Sequence, residues 1–491
     1  MTRLPYAFAR DHDVVVTEGH CHFTSKTPLA ALAEAQRVAQ CRLAFRAVSP
    51  AFLADVMEDT YTDSASAAAG AAEQASDQGK TDLATLAHTA AAVDDLLDPR
   101  EDAPVVRLIN AILLEAIRAR ASDVHIEVEE ARLVVRFRVD GVLREALTSN
   151  RALAPQLVSR SKVSGRLDIA EKRLPQDGRV SLRVAEFHLD ARISTIPPQH
   201  GERVVMRLLD RGQTQTGVSG LGMSRAMQDV FERLLERPDG LILVTGPTGS
   251  GKTTTLYAGL DALNDQQRNI MTIEDPIEYA LPGIAQMQVN TATDLTFARG
   301  LRALLRQDPN VIMVGEIRDG ETARIAVESA ATGHLVMSTL HTHSAVGSVT
   351  RQIDLGVERF LLAPMLRGLI AQRLVRQICP RCAAVHTVTD AEAALLSNAI
   401  PEGETALRGL GCNDCNHTGF HGRVALYDLI EVTPKLEQAI TSGASEAELG
   451  QVLNRALPGL LVDGVLKIRE GRTTPQDVAR VVFDNAQDGS G

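Results

Sequence analysis

The stretch that most constrains this chain is the glycine-rich segment 246–253, which reads Gly-Pro-Thr-Gly-Ser-Gly-Lys-Thr. It matches the phosphate-binding loop pattern G-x-x-x-x-G-K-[ST] at every fixed position. An apolar run at 241–244 leads into the loop, and the residues from Thr254 onward have the pattern of a helix. Backbone N–H groups of such a loop turn towards phosphate oxygens, and the helix N-terminus adds partial positive charge. The sequence therefore predicts that the chain binds a nucleoside triphosphate.

The loop and the first helical turn are the expected nucleotide ligands. Lys252 is expected to reach the β- and γ-phosphates of ATP, and the hydroxyl of Thr253 is expected to bind Mg²⁺. The full predicted set is Gly246, Pro247, Thr248, Gly249, Ser250, Gly251, Lys252, Thr253 and Thr254.

Four short apolar runs alternate with helical patterns around this loop. They lie at 241–244, 270–273, 311–314 and 335–338. Such alternation is typical of a largely parallel sheet with helices on both faces. The fold class predicted for this part of the chain is α/β, a P-loop (RecA-like) core over residues 214–375.

Three polar clusters accompany these runs, and we expect them at the carboxyl edge of the sheet, where such sheets bind ligands. Glu274 and Glu278 belong to the segment 272–278, and either carboxylate can polarise an attacking water. Glu316 follows the run 311–314 and is expected to support Mg²⁺. His334 and His341 form the third cluster, and a histidine there can hydrogen-bond a phosphate.

Four of the six cysteines form two C-x₂-C pairs, Cys379 with Cys382 and Cys412 with Cys415. Two such pairs predict a four-thiolate structural Zn²⁺ site, although the gap between the pairs exceeds the usual spacing. Disulfides are not expected in a cytosolic protein. Cys21 and Cys41 stand alone, and we expect each to be a thiol without a special role.

Composition limits the remaining classes of function. The chain has 491 residues and a net charge of −11, which argues against nucleic acid as the main partner. No apolar run has the length of a membrane span, and the first residues lack a signal-peptide core. We therefore expect a soluble intracellular protein that reaches a membrane only through partners.

Six segments are predicted along the chain. A small N-terminal module with helices near 29–39 and 51–57 precedes a linker of alanine and small polar residues. An α+β domain follows, in which a strand at 132–139 ends in Asp140-Gly141, a hairpin signal. The predicted bounds are 1–61 for the module, 62–101 for the linker, 102–213 for the α+β domain, 214–375 for the core, 376–424 for the zinc subdomain and 425–491 for a C-terminal helical region.

Taken together, these motifs resemble the secretion ATPases of the type II secretion and type IV pilus superfamily. The similarity extends from about residue 102 to the C-terminus, with a Walker A loop, an aspartate box at 272–278, a Walker B segment at 311–319 and a histidine box at 332–341. Further segments resemble the type II secretion branch, general secretion pathway protein E. They lie at 4–10, 94–98, 102–111, 121–127, 173–179 and 201–207. His343 departs from the pattern, in which asparagine is more usual.

The resemblance implies a hexameric cytoplasmic ATPase at the periphery of the bacterial inner membrane. It would power pseudopilus assembly and protein export. Arginines of the α+β domain would close on the phosphates, and the best candidates by position are Arg192 and Arg207. The N-terminal module would dock the cytoplasmic domain of an inner-membrane protein (GspL-like), and the motor would act on a platform protein (GspF-like).

Three alternatives stay open from sequence alone. A type IV pilus-extension ATPase shares the same chemistry and the same cysteine motif, which retraction ATPases lack. A ring translocase on DNA is disfavoured by the acidic charge. A protein that binds ATP without hydrolysing it is disfavoured by the intact Lys252, Glu274 and Glu316.

Overall fold

The structure is a computed structural model that describes residues 12–17, 20–39, 43–49, 52–53, 56, 83, 103–184, 187–210 and 217–483. The chain folds into two compact units, Met1–Asp210 and Arg211–Gly491. The start of the N-terminal module, Cys41, nearly all of the predicted linker and most of the predicted helix near 51–57 lie outside the described residues. No helix among the described residues is long and apolar enough to cross a membrane.

The N-terminal module contains a three-stranded sheet and one helix. Strand β2 pairs with β1 antiparallel and with β3 parallel. The predicted helix is confirmed, and its buried Ala31 and Ala35 pack with Val14 and Cys21 of the sheet. The elements are β1 Val14–Thr17, β2 His20–Phe23, α1 Leu29–Ala39 and β3 Ala44–Ala47.

The α+β domain has a six-stranded antiparallel sheet in the order β6-β5-β4-β9-β8-β7. The predicted hairpin is confirmed, because Asp140 and Gly141 both adopt positive φ and form a two-residue turn between paired Val139 and Val142. Residues of both helices form one hydrophobic core with one face of the sheet. The elements are α2 Ala103–Arg118, β4 Ala121–Val128, β5 Arg132–Val139, β6 Val142–Asn150, α3 Ala154–Ser164, β7 Gln176–Val184, β8 Phe187–Ile196 and β9 Arg203–Asp210.

The second unit is built on a seven-stranded sheet in the order β12-β11-β13-β14-β10-β15-β18. All pairings are parallel except that of β15 with β18, so the predicted parallel α/β sheet is confirmed. Its strands are β10 Gly240–Thr245, β11 Ile270–Glu274, β12 Ala285–Gln288, β13 Val311–Val314, β14 Leu335–Leu340, β15 Leu366–Ile378 and β18 Phe420–Glu431.

Strand β10 is buried at every position because both faces of the sheet are covered. Leu241 and Leu243 belong to one hydrophobic core, whereas Ile242 and Val244 belong to the core on the opposite face. The helices of the first part of this unit are α4 Arg225–Leu235, α5 Lys252–Leu263, α6 Phe297–Leu304, α7 Gly320–Ala331, α8 Gly347–Asp354 and α9 Arg359–Met365.

The four-cysteine segment is inserted between the paired strands β15 and β18. These strands cross the predicted boundaries at 375/376 and 424/425, and the sequence analysis did not predict either of them. The segment contains β16 Ala383–Thr387, α10 Asp390–Leu395 and β17 Thr405–Gly409. After β18 the chain is helical, with α11 Pro434–Ser442, α12 Glu446–Val452, α13 Gly459–Arg469 and α14 Pro475–Phe483.

Candidate functional site

The glycine-rich loop follows β10 directly and leads into α5. Two of its glycines have no substitute, because of their backbone conformation and of their close contact with β15. A Cβ on Gly246 (φ +152°) would lie 2.4 Å from the carbonyl oxygen of Gln372. A Cβ on Gly251 (φ +86°) would lie 2.8 Å from Nε2 of the same residue. The loop therefore wraps closely over the neighbouring strand while the segment 247–249 stays exposed.

Lys252 is the first residue of α5, and its ammonium group lies within the loop. Its Nζ donates to the carbonyl oxygens of Gly246 at 2.7 Å and Pro247 at 3.0 Å. Burial lowers the pKa of Lys252 to about 8, the carboxylate of Glu316 opposes this shift, and the guanidinium of Arg373 adds to it. The lysine is thus held at the mouth of an anion-binding loop, where a phosphate would favour its charged form.

Glu316 lies just beyond the end of β13 and faces two cationic groups. Its Oε2 is 3.4 Å from Nε2 of His341, and its Oε1 is paired with Arg318. Burial lowers the pKa of His341, the charge of Lys252 lowers it further, and Glu316 opposes both effects. The structure therefore brings Lys252, Glu316 and His341 together at the carboxyl edge, as the order of the motifs led us to expect.

Glu274 is the last residue of β11 and is only 2% exposed. Its Oε1 accepts hydrogen bonds from the Thr272 hydroxyl at 2.5 Å and from Gln286 Nε2 at 3.0 Å, and its Oε2 accepts one from Tyr257. Burial raises the pKa of the Tyr257 hydroxyl, and the adjacent carboxylate raises it further, so the phenol remains a donor. Glu274 is therefore sealed within the protein by three donors.

Glu278 differs from Glu274 in its access to solvent, since its side chain is exposed. Its backbone N–H lies 3.4 Å from the Tyr257 hydroxyl, so the same tyrosine contacts both ends of this acidic segment. Of the two glutamates predicted to activate water, only Glu278 can therefore meet a water molecule.

His334 precedes β14 instead of following it, so the expectation that it lies beside the other polar clusters was wrong. His341 follows the same strand, and the six residues of β14 between them span roughly 20 Å. The Nδ1 of His334 lies 2.8 Å from the carbonyl oxygen of Ser329, and its own carbonyl accepts from Gly240 N–H. Within this unit His334 stabilises the turn at the amino edge of the sheet.

The α+β domain carries a row of arginines on the polar face of its sheet. Arg192 lies directly opposite both Arg179 and Arg207 on the neighbouring strands. Arg207 donates from Nε to Asp123 at 3.1 Å, whereas Arg192 is exposed and lies between two like charges. Like charges directly opposite one another destabilise a sheet, so this face is suited to an anion. Both predicted arginines, Arg192 and Arg207, belong to this row.

The four cysteine sulfurs form one cluster in which all lie within 4.8 Å of one another. The Sγ atoms of Cys379 and Cys412 are 3.8 Å apart, as are those of Cys382 and Cys415. Tetrahedral Zn²⁺ with Zn–S bonds of about 2.3 Å places its sulfurs about 3.8 Å apart. Burial raises the pKa of Cys415, but N–H donors of Cys412 and Gly419 lower it to about 6. The residues thus fit a four-thiolate zinc site.

Comparison with known proteins adds an independent finding. Residues 98–480 match the family described as "Type II/IV secretion system protein", and residues 3–61 match an N-terminal domain family of GSPII protein E. Type II secretion system protein E of Pseudomonas aeruginosa is 49% identical over 483 residues, which cover 98% of this chain and 96% of that protein. Type II secretion system ATPase E of Vibrio cholerae is 47% identical over 98% of this chain and 97% of its own length.

The chain belongs to the type II secretion system protein E family. It is therefore a secretion ATPase, and its relatives favour the type II system over the pilus-extension alternative. Among solved structures, the pilus retraction motor PilT with bound ADP is 29% identical, with a TM-score of 0.51 over 75% of this chain and 95% of that chain. The Legionella pneumophila ATPase DotB, with a TM-score of 0.56 over 78% of this chain and 96% of that chain, is 20% identical and supports the fold alone.

Sequence reasoning missed one residue next to the phosphate-binding loop of this secretion ATPase. Arg373 of β15 is buried, and its guanidinium is close enough to Lys252 to lower the pKa of that lysine. No motif marks Arg373, because the strand that carries it was not predicted. The only available signal was an arginine among apolar residues in the run 369–375.

Proposed function

We propose that this ATPase assembles as a hexameric ring that hydrolyses ATP at the carboxyl edge of the core sheet and thereby drives pseudopilus assembly. The observation that carries the proposal is the convergence of Lys252, Glu316 and His341 beside a phosphate-binding loop. A solved relative at 29% identity was determined with bound ADP, which supports nucleotide binding by the same fold.

The nucleotide phosphates bind the backbone N–H groups of the loop and the N-terminus of α5. Lys252, now held by two loop carbonyls, exchanges these for the β- and γ-phosphates. Magnesium fits beside the hydroxyl of Thr253 and the carboxylate of Glu316, and it would neutralise charge on the phosphates. Glu278 orients and deprotonates the attacking water, because it is the exposed carboxylate of its segment.

Glu274 acts as a support for Glu278. It fixes Tyr257, and Tyr257 in turn contacts the backbone of Glu278. His341 is held neutral and can accept or donate a hydrogen bond near the terminal phosphate. In the assembled ring, Arg192 and Arg207 supply positive charge to the same phosphates, which their crowding on one sheet face supports.

The four cysteines hold Zn²⁺ in a closed structural site with no open position for chemistry. The N-terminal module docks the cytoplasmic domain of an inner-membrane type II secretion protein, which its match to a named domain of this family supports. That contact and the platform protein keep the motor at the inner membrane. Loss of the γ-phosphate becomes motion through domain rotation about short connecting segments.

The test is ATP hydrolysis by the purified chain, with and without the cytoplasmic domain of a type II platform protein, beside Lys252→Ala. We expect the partner to stimulate hydrolysis and the variant to lose at least about 99% of the activity, since a buried charge on the transferring phosphate is removed. Hydrolysis indifferent to that partner would contradict the proposed machine. Wild-type activity in Lys252→Ala would contradict the proposed site.

A further inference from the structure

We propose that Arg373 is a second fixed cation of the nucleotide site, which compensates phosphate charge from behind the loop and positions the segment after β14. The inference rests on the proposed function, because it assumes that the phosphates bind at the loop 246–253. It assigns a role to a residue that belongs to no nucleotide-binding motif.

The register of the core sheet places Arg373 at the carboxyl edge. Strand β15 runs parallel to β10 with Thr245 opposite Ala371, so Arg373 lies beyond the last residue of β10, alongside the loop. A Cβ built on Gly246 would lie 3.1 Å from Nη1 of Arg373. The guanidinium is therefore in contact with the first glycine of the phosphate-binding loop.

The charge of Arg373 has no carboxylate partner among the described residues. The side chain is 3% exposed, Nη1 donates to the carbonyl oxygen of Gln372 at 3.0 Å, and Nη2 donates to that of His343 at 2.8 Å. Its Nε is buried without any acceptor. Two neutral carbonyls satisfy part of the hydrogen-bonding capacity but leave the positive charge uncompensated.

Comparison with the other buried cations of the described chain shows that this arrangement is specific to the loop. Four lysine or arginine side chains are buried there: Lys162, Lys252, Arg373 and Lys467. Lys162 pairs with Glu202, and Lys467 pairs with Asp463 at 2.7 Å. Lys252 and Arg373, the two without a carboxylate partner within ion-pair distance, are the two beside the phosphate-binding loop.

An uncompensated buried cation is unfavourable in the free protein, and a bound polyanion removes much of that penalty. Positive charge fixed in place before the ligand arrives also needs no reorganisation when charge develops during reaction. The bond to His343 extends this effect, because it ties β15 to the segment that carries His341. Arg373 thus acts as a positioning residue as well as a source of charge.

The competing explanation is that Arg373 only ties two loops together through its carbonyl contacts. A tie of that kind stabilises the fold whether or not nucleotide is bound. Charge compensation instead changes the affinity for nucleotide and the rise in melting temperature that nucleotide causes. A lysine at this position keeps the charge but loses the planar fork, so it separates the two explanations.

The experiment compares full-length wild type, Arg373→Gln, Arg373→Lys and the control Arg367→Gln. Arg367 lies on the same strand, at its other end, and is paired with Asp239. Mg·ATP affinity, the Mg·ATP-induced rise in melting temperature, and kcat and KM are measured for each. We expect Arg373→Gln to bind Mg·ATP about tenfold or more weakly, with KM raised by more than kcat falls and a smaller ligand-induced rise. Arg373→Lys should recover most of the affinity, and Arg367→Gln should match wild type.

Wild-type affinity and a full ligand-induced rise in Arg373→Gln would overturn the inference, even if that variant melts at a lower temperature. If Arg373→Gln does not fold, Arg373→Met gives the same two readings without the charge. If neither folds, tenfold weaker binding by Arg373→Lys overturns the inference, and near wild-type binding supports it.

A parallel Lys252→Ala sample separates this inference from the proposed function. If the wild type fails to bind Mg·ATP, or if Lys252→Ala binds it equally well, the nucleotide site itself is wrongly placed. If both behave as expected while Arg373→Gln binds normally, only the role of Arg373 is wrong.

Discussion

The nucleotide site and the cysteine knuckles of this ATPase are both built from loops, but they are held in place by different means. Strands β10 and β14, which position the nucleotide site, are buried at every residue between two hydrophobic cores. The knuckles, residues 379–382 and 410–419, contribute no residue to any hydrophobic cluster of the described chain, and Leu410 is 65% exposed.

The difference concerns what must be present before the site can exist. A large core fixes the nucleotide loop whether or not ligand is bound, so its chemistry can be altered without unfolding the protein. A segment without a core depends on its metal, because metal binding there is itself folding free energy. The comparison therefore predicts opposite responses of the two sites to removal of their ligands.

Removal of the metal should give the largest effect. Cys412→Ser should eliminate bound zinc and unfold the knuckles, since binding free energies for structural Zn²⁺ are on the order of 10 kcal/mol. Hydrogen exchange should become fast at 379–382 and 410–419, while β10 and α5 keep their protection. Cys21→Ser, which alters a buried thiol elsewhere, should retain one zinc per chain. Unchanged zinc content in Cys412→Ser, or loss of protection in β10, would contradict the comparison.

The next effect should come from the exposed glutamate of the nucleotide site. Glu278→Gln should lower kcat about 100-fold or more, because it removes the proposed proton acceptor. Mg·ATP affinity and the free energy of unfolding should stay as in wild type. Glu232→Gln, an exposed glutamate of α4, serves as the control. A kcat within threefold of wild type would rule out Glu278 as the general base.

Glu274→Gln should reverse this pattern. An amide group would replace one of two carboxylate oxygens that accept from three donors, so a buried group would lose its partner. The free energy of unfolding should fall by about 1–3 kcal/mol. Denaturant titration measures this change, and kcat of the folded protein should fall much less than in Glu278→Gln. Wild-type stability together with abolished turnover would assign catalysis to Glu274 instead.

The smallest effect should come from the ion pair that joins the two knuckles. Arg381 lies 2.6 Å from Asp414, and both side chains are exposed. Arg381→Ala should change stability by less than about 1 kcal/mol, because solvent screens such pairs. Zinc content and melting temperature together check this. Loss of zinc in Arg381→Ala would mean that the ion pair, and not the metal, organises the knuckles.

The nucleotide motifs and the strands that carry them could be predicted because their patterns are local. Fully apolar runs predicted β10, β11, β13 and β14 to within two residues at each end. Strands β15 and β18 were missed, because β15 mixes apolar residues with Gln372 and Arg373 and its partner lies beyond the cysteine segment. Its pairing with β18 is a long-range contact that no local pattern records.

The individual roles of the polar residues depended on burial, which the sequence does not give. Glu274 and Glu278 are equivalent as letters in one acidic segment, but only one of them is exposed. His334 and His341 belong to one motif, yet a whole strand separates them. The roles of Glu278, Thr253, Arg192 and Arg207 in catalysis remain predictions that the variants above can test.

The place where the cysteine segment enters the core sheet has a consequence for how this protein can be altered. Cys379 and Gly419, at the two ends of the segment, are joined by a backbone hydrogen bond of 2.9 Å between the tips of β15 and β18. A tight turn can therefore bridge the two strands, and the sheet keeps its connectivity without the segment. A chain can gain or lose this appendage as a single exchangeable cassette, so its excision is a feasible route to a minimal motor.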